Sequence, residues 1–277
     1  MAELNECLRE IEEISQSNGP ESRDSKQEKL DRKHQTRYID AVVISHEFTD
    51  HCNKNTLLEL DSETPIFATK LAAALISSWN HFNFVQETLP FSAKDSDWRK
   101  TSVSPLPGWL GISRIVTESD ALYYHSAILV TFGLVSSSSS GPSAVLPPAE
   151  AIAYTPHGIH AHDLSHLPCA NPPIRTLALL HGLHDIRISV KHLNLGAHNG
   201  LQAQKMCQAK YWISTHDEIK KGSGFITPFL HRKILTLQEA VDAARKTEAE
   251  LPDESEVANV KEIIFADLAS GESLLLE

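Results

Sequence analysis

The feature that most constrains this chain is a short apolar run that ends in a cluster of histidine and acidic side chains. The run YIDAVVIS, residues 38–45, has the length and the β-branched content of a buried strand. The segment HEFTDH follows it directly and contains His46, Asp50 and His51. Because the end of a strand can hold ligands rigidly while leaving a coordination position for water, this pattern predicts a metal site.

Strand and helix patterns alternate along the rest of the chain. Helices are predicted from residue 56 to 60, after Thr69, and after Thr236, where Glu239 completes a capping-box pattern. Strands are predicted for the segments PIFA, LGISRIV, SAILVTFGLV, AIAYT, IRTLALL and KYWIST. Interspersed elements of this kind favour a single α/β domain over separate all-α and all-β parts.

The two ends of the chain differ from this middle part. Apolar positions at helical spacing predict an amphipathic helix that stops at Gly19-Pro20, and the residues from there to 37 are charged or polar. We therefore expect a helix and connector over residues 1–37 and an α/β domain over residues 38–277. The tail EIIFADLASGESLLLE predicts a closing hairpin or strand pair that turns at Ser270-Gly271.

Charge and composition exclude several classes of protein. The formal net charge is -11, which argues against binding to phosphate backbones or anionic membranes. The longest apolar stretch, residues 127–135, is too short to span a bilayer, and the N-terminus is acidic where a signal peptide would be basic. Four scattered cysteines give no disulfide framework. We expect a cytoplasmic protein that acts on a small molecule, with no nucleic-acid or membrane partner.

The histidine cluster resembles the signature of the metallo-β-lactamase-fold hydrolases, H-x-H-x-D-H at the end of a strand. In that family the first two histidines hold one metal, and the aspartate and last histidine hold a second. His46 matches the first histidine, Asp50 the aspartate and His51 the last histidine, whereas Phe48 stands at the second histidine position. Since phenylalanine cannot coordinate a metal, the motif is degenerate and the resemblance implies a weakened first metal position.

Three later histidines extend the resemblance. The segment YYHSAILVTF resembles the third motif of the family and makes His125 a candidate ligand. In AIAYTPHGI, His157 stands where the family places a metal-bridging aspartate, and LQAQKMCQAKYWISTHDE matches the last motif with His216 as its terminal histidine. Because a neutral imidazole binds a metal through one lone pair and cannot bridge two ions, the resemblance implies one metal ion.

The resemblance implies a metallo-β-lactamase-like αββα sandwich that lacks its first strands, since only the predicted helix and connector precede residue 38. Missing strands would leave ladder edges open, which favours a homodimer. The implied activity is metal-dependent hydrolysis of an ester, amide or phosphoester, with Asp50 orienting the water. Zinc suits these ligands, with manganese or iron as alternatives. The implied metal ligands are His46, Asp50, His51, His125, His157 and His216.

An alternative of a different class is a catalytically inactive relative that keeps the fold as a binding or scaffold module. Phe48 and the missing front strands favour this alternative. A nuclease of the same fold is disfavoured by the acidic charge. The segment HGLHD, residues 181–185, has a spacing that favours structural roles for its histidines, because residues i and i+3 of a strand point to opposite faces.

Overall fold

The computed structural model describes residues 39–92, 94–116, 124–134, 148–217, 227–249, 263–269 and 271–277. The chain divides into two compact units, Met1–Glu87 and Thr88–Glu277. The amphipathic helix and connector predicted for residues 1–37 lie outside the described residues. Within the described part of the chain, no helix has both the length and the apolar character that a membrane crossing requires.

The first unit contains a three-stranded parallel sheet with the order β1-β2-β3. Helix α1 lies in the connection from β1 to β2, and α2 lies in the connection from β2 to β3, as parallel neighbours need crossover segments. The strand predicted for PIFA is confirmed as β2. The elements are β1 (Val42–Ile44), α1 (Lys54–Leu57), β2 (Ile66–Ala68), α2 (Lys70–Ser77) and β3 (Val85–Glu87).

Helix α2 shows how this unit builds its core. Ala72 and Ile76 are one helical turn apart and fully buried in a cluster with Ile66 of β2. Burial of an isoleucine side chain stabilises the fold by about 1.5–3 kcal/mol. Leu71 and Leu75 belong to the same apolar pattern in the sequence, yet they are 62% and 39% exposed. The buried face of the helix is therefore narrower than the apolar face that its sequence predicts.

The second unit is built on a seven-stranded sheet with the order β13-β11-β8-β7-β6-β5-β4. The pairs β5–β6 and β6–β7 are antiparallel, and the other pairs are parallel. The strands are β4 (Leu89–Pro90), β5 (Leu110–Val116), β6 (Ser126–Gly133), β7 (Ala149–Thr155), β8 (Ile174–His181), β11 (Tyr211–Ile213) and β13 (Ile264–Ala266). Five of these strands fall on segments predicted from the sequence, and the mixed α/β class is confirmed.

The C-terminal segment corrects one prediction. Strand β13 pairs in parallel with β11, with Ile264 opposite Tyr211, and the described residues after Gly271 contain no strand. The predicted closing hairpin is therefore wrong. The physical reason is that the apolar residues of β13 complete the edge of a sheet already formed by β11, which a local hairpin could not do.

A second, smaller sheet has the order β10-β9-β12 and was not predicted. Its strands are β9 (Asp185–Ile188), β10 (Lys191–Asn194) and β12 (Leu230–Lys233), and both pairings are antiparallel. Ser189 takes a φ of 54° in the two-residue turn between β9 and β10, as tight hairpins require. These strands carry many charged side chains, so they lack the apolar alternation from which a strand is recognised.

Two helices pack within the second unit, α3 (Ala197–Cys207) and α4 (Leu237–Ala249). The capping box predicted ahead of α4 is confirmed, because the Glu239 carboxylate accepts a hydrogen bond from the Thr236 amide at 2.8 Å. Helix α3 meets the buried ring of Trp212 at Gly200, where an added Cβ would lie 2.4 Å from Trp212 Cζ2. The glycine thus lets the helix approach the sheet closely.

Candidate metal centre

His46 lies directly after β1 in the first unit and is 6% exposed. The neighbouring Ser45 hydroxyl lies 2.8 Å from Nδ1 of His46. This hydrogen bond orients the ring and engages Nδ1, so a metal ion held by His46 would bind through Nε2.

A tight turn brings His51 back to His46. The amides of His51 and Cys52 both donate to the Phe48 carbonyl, at 2.9 and 2.7 Å. The imidazole rings of His46 and His51 are then 4.0 Å apart between centroids. Nε2 of His51 lies 3.7 Å from Oδ2 of Asp50, whose side chain is 47% exposed. The turn therefore gathers two imidazoles and one carboxylate, the donor types that zinc prefers.

Phe48, at the position where the resemblance expects a histidine, contacts this group without offering a ligand. Its ring lies edge-on to His46, with centroids 5.2 Å apart and planes at 81°, and the residue is 38% exposed. The contact is a favourable aromatic geometry that restricts the His46 ring. Phe48 thus places an apolar surface next to His46.

In the second unit, His157 follows the end of β7. Its Nδ1 lies 2.9 Å from the Asn194 side-chain oxygen, and its carbonyl accepts from the Leu195 amide at 3.0 Å. Because that oxygen can only accept, His157 carries its proton on Nδ1 and would bind a metal through Nε2. Gly158 follows with a φ of 82°, and a Cβ there would lie 2.6 Å from the Leu195 Cβ.

His216 lies beyond the end of β11, and its ring is 5.4 Å from that of His157 between centroids. Strands β7, β8 and β11 are consecutive, parallel neighbours, so residues that follow β7 and β11 meet at the same edge of the sheet. This register explains how two histidines far apart in the sequence come together. His216 has a φ of 65°, a left-handed conformation that is unusual for a residue with a side chain.

His125 precedes β6, and the antiparallel pairing of β6 with β7 brings it to the sheet edge that also carries His157. His125 is 7% exposed, and its ring is T-shaped against that of His160, with the ring centroids 5.6 Å apart. The role of His125 as a metal ligand stays a prediction.

Sequence reasoning missed two side chains near these histidines, Asn194, which is bonded to His157, and Asp217, which accepts from the Leu183 and His184 amides. Asn194 belongs to an unpredicted strand, so no local signal pointed to it. Asp217 directly follows His216, and that adjacency was the one available sign. His181 of the HGLHD segment is fully buried and donates from Nδ1 to the Gly182 carbonyl at 2.6 Å, a structural role. Burial lowers the pKa of His181.

Each unit, taken by itself, contains residues that could hold a metal ion. The first unit offers His46, Asp50 and His51, and the second offers His157 and His216. Neutral imidazoles and a carboxylate fit zinc, and the ring of His157 is oriented by Asn194.

No protein-family model matches this chain, and no curated protein matches it. Two solved structures are similar to it. An isothiocyanate hydrolase from Delia radicum gut bacteria shows a TM-score of 0.47 at 13% identity, over 86% of this chain and 76% of that one. A metallo hydrolase from the hyperthermophilic archaeon Ignicoccus hospitalis shows a TM-score of 0.44 at 11% identity, over 85% of this chain and 78% of that one. The activities named here belong to those two proteins.

Proposed function

We propose that the protein is a metal-dependent hydrolase of the metallo-β-lactamase type, acting on an ester, amide or phosphoester in the cytoplasm. The observation that carries the proposal is the packing of His46 and His51 at 4.0 Å beside the Asp50 carboxylate. Two neutral imidazoles this close can both offer a nitrogen lone pair to one cation, with the carboxylate as a further ligand. The proposed ligands remain those that the resemblance implies.

One zinc ion is proposed, since Phe48 removes a donor of the first position and His157 cannot bridge. Zinc, when bound, supplies a Lewis acid and a water whose pKa is lowered to about 7. Asp50 is proposed to orient that water, because its carboxylate lies beside His51 and is still open to solvent. Asn194 fixes the tautomer of His157, so that Nε2 keeps a lone pair for the metal.

Metal content tests the proposal. Protein purified without added metal and then dialysed against zinc should retain about one equivalent per chain. The variant His51→Ala should bind zinc at least about tenfold more weakly and lose hydrolysis of model esters or phosphoesters. His231→Ala, which removes an exposed histidine of β12, is the matched control and should behave as the wild type. Retention of less than about a tenth of an equivalent contradicts the proposal.

A second candidate function is a catalytically inactive binding or scaffold protein with the same fold, and the position of Phe48 favours it. Its ring packs on His46 and offers no ligand. This candidate predicts that folded protein takes up no zinc and that His51→Ala changes stability alone. A zinc titration followed by calorimetry, with the thermal unfolding of both proteins as the reference, separates the two functions.

A further inference from the structure

We propose that Asp217 is a positioning residue that fixes the strained backbone of His216 and so presets its imidazole for the metal. This inference rests on the proposed function, because it assigns a role to a neighbour of a proposed ligand. All the contacts that carry it lie within the second unit.

The Asp217 carboxylate accepts hydrogen bonds from three groups. The Leu183 amide lies 2.8 Å from Oδ1 and 2.7 Å from Oδ2, and the His184 amide lies 2.8 Å from Oδ1. The Ser214 hydroxyl donates to Oδ2 at 2.9 Å. Both oxygens are thereby engaged by the protein, so Asp217 holds structure in place and is not itself proposed as a ligand.

These bonds join the segment that contains His216 to a second segment of the chain. Ser214 and Asp217 flank His216 in the sequence, while Leu183 and His184 belong to the turn after β8, the strand that pairs with β11. Gly182 permits the close approach, since a Cβ there would lie 2.9 Å from the Thr215 carbonyl oxygen and 3.3 Å from Asp217 Oδ1. The carboxylate therefore ties the end of β11 to the end of β8.

The hydrogen bonds of Asp217 can hold His216 in its strained backbone conformation. A left-handed conformation costs about 1–2 kcal/mol for a residue with a Cβ, and such residues persist only where surrounding contacts hold them. His216 adopts a φ of 65°. It lies between Ser214 and Asp217, which are hydrogen-bonded to each other. Without the carboxylate, we expect the backbone to relax to negative φ and carry the imidazole away from His157, now 5.4 Å away.

The experiment compares Asp217→Ala and Asp217→Asn with the wild type in zinc titrations and in the visible absorption of the cobalt-loaded protein. Asp217→Ala should weaken zinc affinity by about tenfold or more and change the cobalt bands. Asp217→Asn keeps one oxygen to accept from the two amides, so it should lie closer to the wild type. Wild-type zinc affinity and an unchanged cobalt spectrum in Asp217→Ala would overturn the inference.

A matched control separates positioning from general loss of stability. Gln204→Ala removes another buried side chain of this unit, whose Nε2 donates to the Ala209 carbonyl at 2.7 Å, and it should leave zinc affinity unchanged. If the wild type takes up no metal, the proposed function fails while the inference remains testable by NMR. The nuclear Overhauser contact between the His157 and His216 rings should then be present in the wild type and in Gln204→Ala. It should be lost in Asp217→Ala, and its persistence there contradicts the inference.

Discussion

The side-chain oxygen of Asn194 lies 2.9 Å from Nδ1 of His157 and determines which nitrogen of that imidazole carries the proton. Asn194 is the last residue of β10 and is 7% exposed. The next residue, Leu195, donates its amide to the His157 carbonyl. The small charged sheet therefore supports both the backbone and the ring of His157.

Replacing Asn194 should weaken metal binding without removing a ligand. In Asn194→Ala, the His157 ring loses its acceptor and can change tautomer, so zinc affinity should fall by about 10–100-fold. Asn194→Asp keeps the acceptor and adds a charge, so it should bind zinc at least as tightly as Asn194→Ala. Competition with a zinc-binding dye measures the three affinities. Equal affinity in Asn194→Ala and the wild type would leave Asn194 with a purely structural role.

The left-handed conformation of His216 predicts an unusual order of stabilities. His216→Gly and His216→Ala both remove the imidazole, but only glycine adopts a φ of 65° without strain. His216→Gly should therefore be more stable than His216→Ala by about 1 kcal/mol in urea unfolding.

The control pair for this prediction lies at His192, within strand β10. Glycine within a strand loses more conformational entropy than alanine, so His192→Gly should be less stable than His192→Ala by about 0.5–1 kcal/mol. The same order at both positions would contradict the left-handed conformation of His216.

Gly200 is expected to tolerate no side chain. In Gly200→Ala, the new Cβ would meet the fully buried Trp212 ring at 2.4 and 2.8 Å. Such crowding costs about 1–3 kcal/mol, against a gain in helix propensity of about 1 kcal/mol at most, so the variant should be less stable. Gly108→Ala is the matched control, because nothing lies within 4 Å of a Cβ there. Chemical denaturation measures the free energy of unfolding of both variants. A Gly200→Ala variant more stable than the wild type would contradict the prediction.

The buried histidine His181 predicts that stability falls in mild acid. Burial lowers its pKa below the ordinary value of 6.5 in the folded state, whereas the unfolded chain titrates near that value. Between these two pKa values the unfolded state binds more protons. The free energy of unfolding should therefore be unaffected by this group above about pH 7 and should decrease as the pH falls below about 6.5.

Urea unfolding at several pH values between about 5 and 7.5 measures this effect. His181→Gln removes the group, so its free energy of unfolding should depend less steeply on pH, by up to about 1.4 kcal/mol per pH unit. His231→Gln, at an exposed position of β12, should keep the wild-type slope. Equal slopes in His181→Gln and the wild type would show that His181 is not held neutral by burial.

Elements with a local apolar pattern could be predicted from the amino-acid sequence alone. Five strands of the large sheet, helix α2 and the capping box of α4 were predicted because alternation, helical spacing and capping residues lie within a few positions of one another. The group of His46, Asp50 and His51 was predicted for the same reason, since one short turn joins its members. His157 and His216 were reached only through a family resemblance.

Contacts that depend on strand order could be found only in the folded chain. The neighbourhood of His157 and His216 follows from the parallel order of β7, β8 and β11, and the pairing of β13 with β11 follows from an available sheet edge. Asn194 and Asp217 acquire their roles from partners 37 and 34 positions away. A local pattern records which face of an element is buried, but it does not record which distant element will lie against that face.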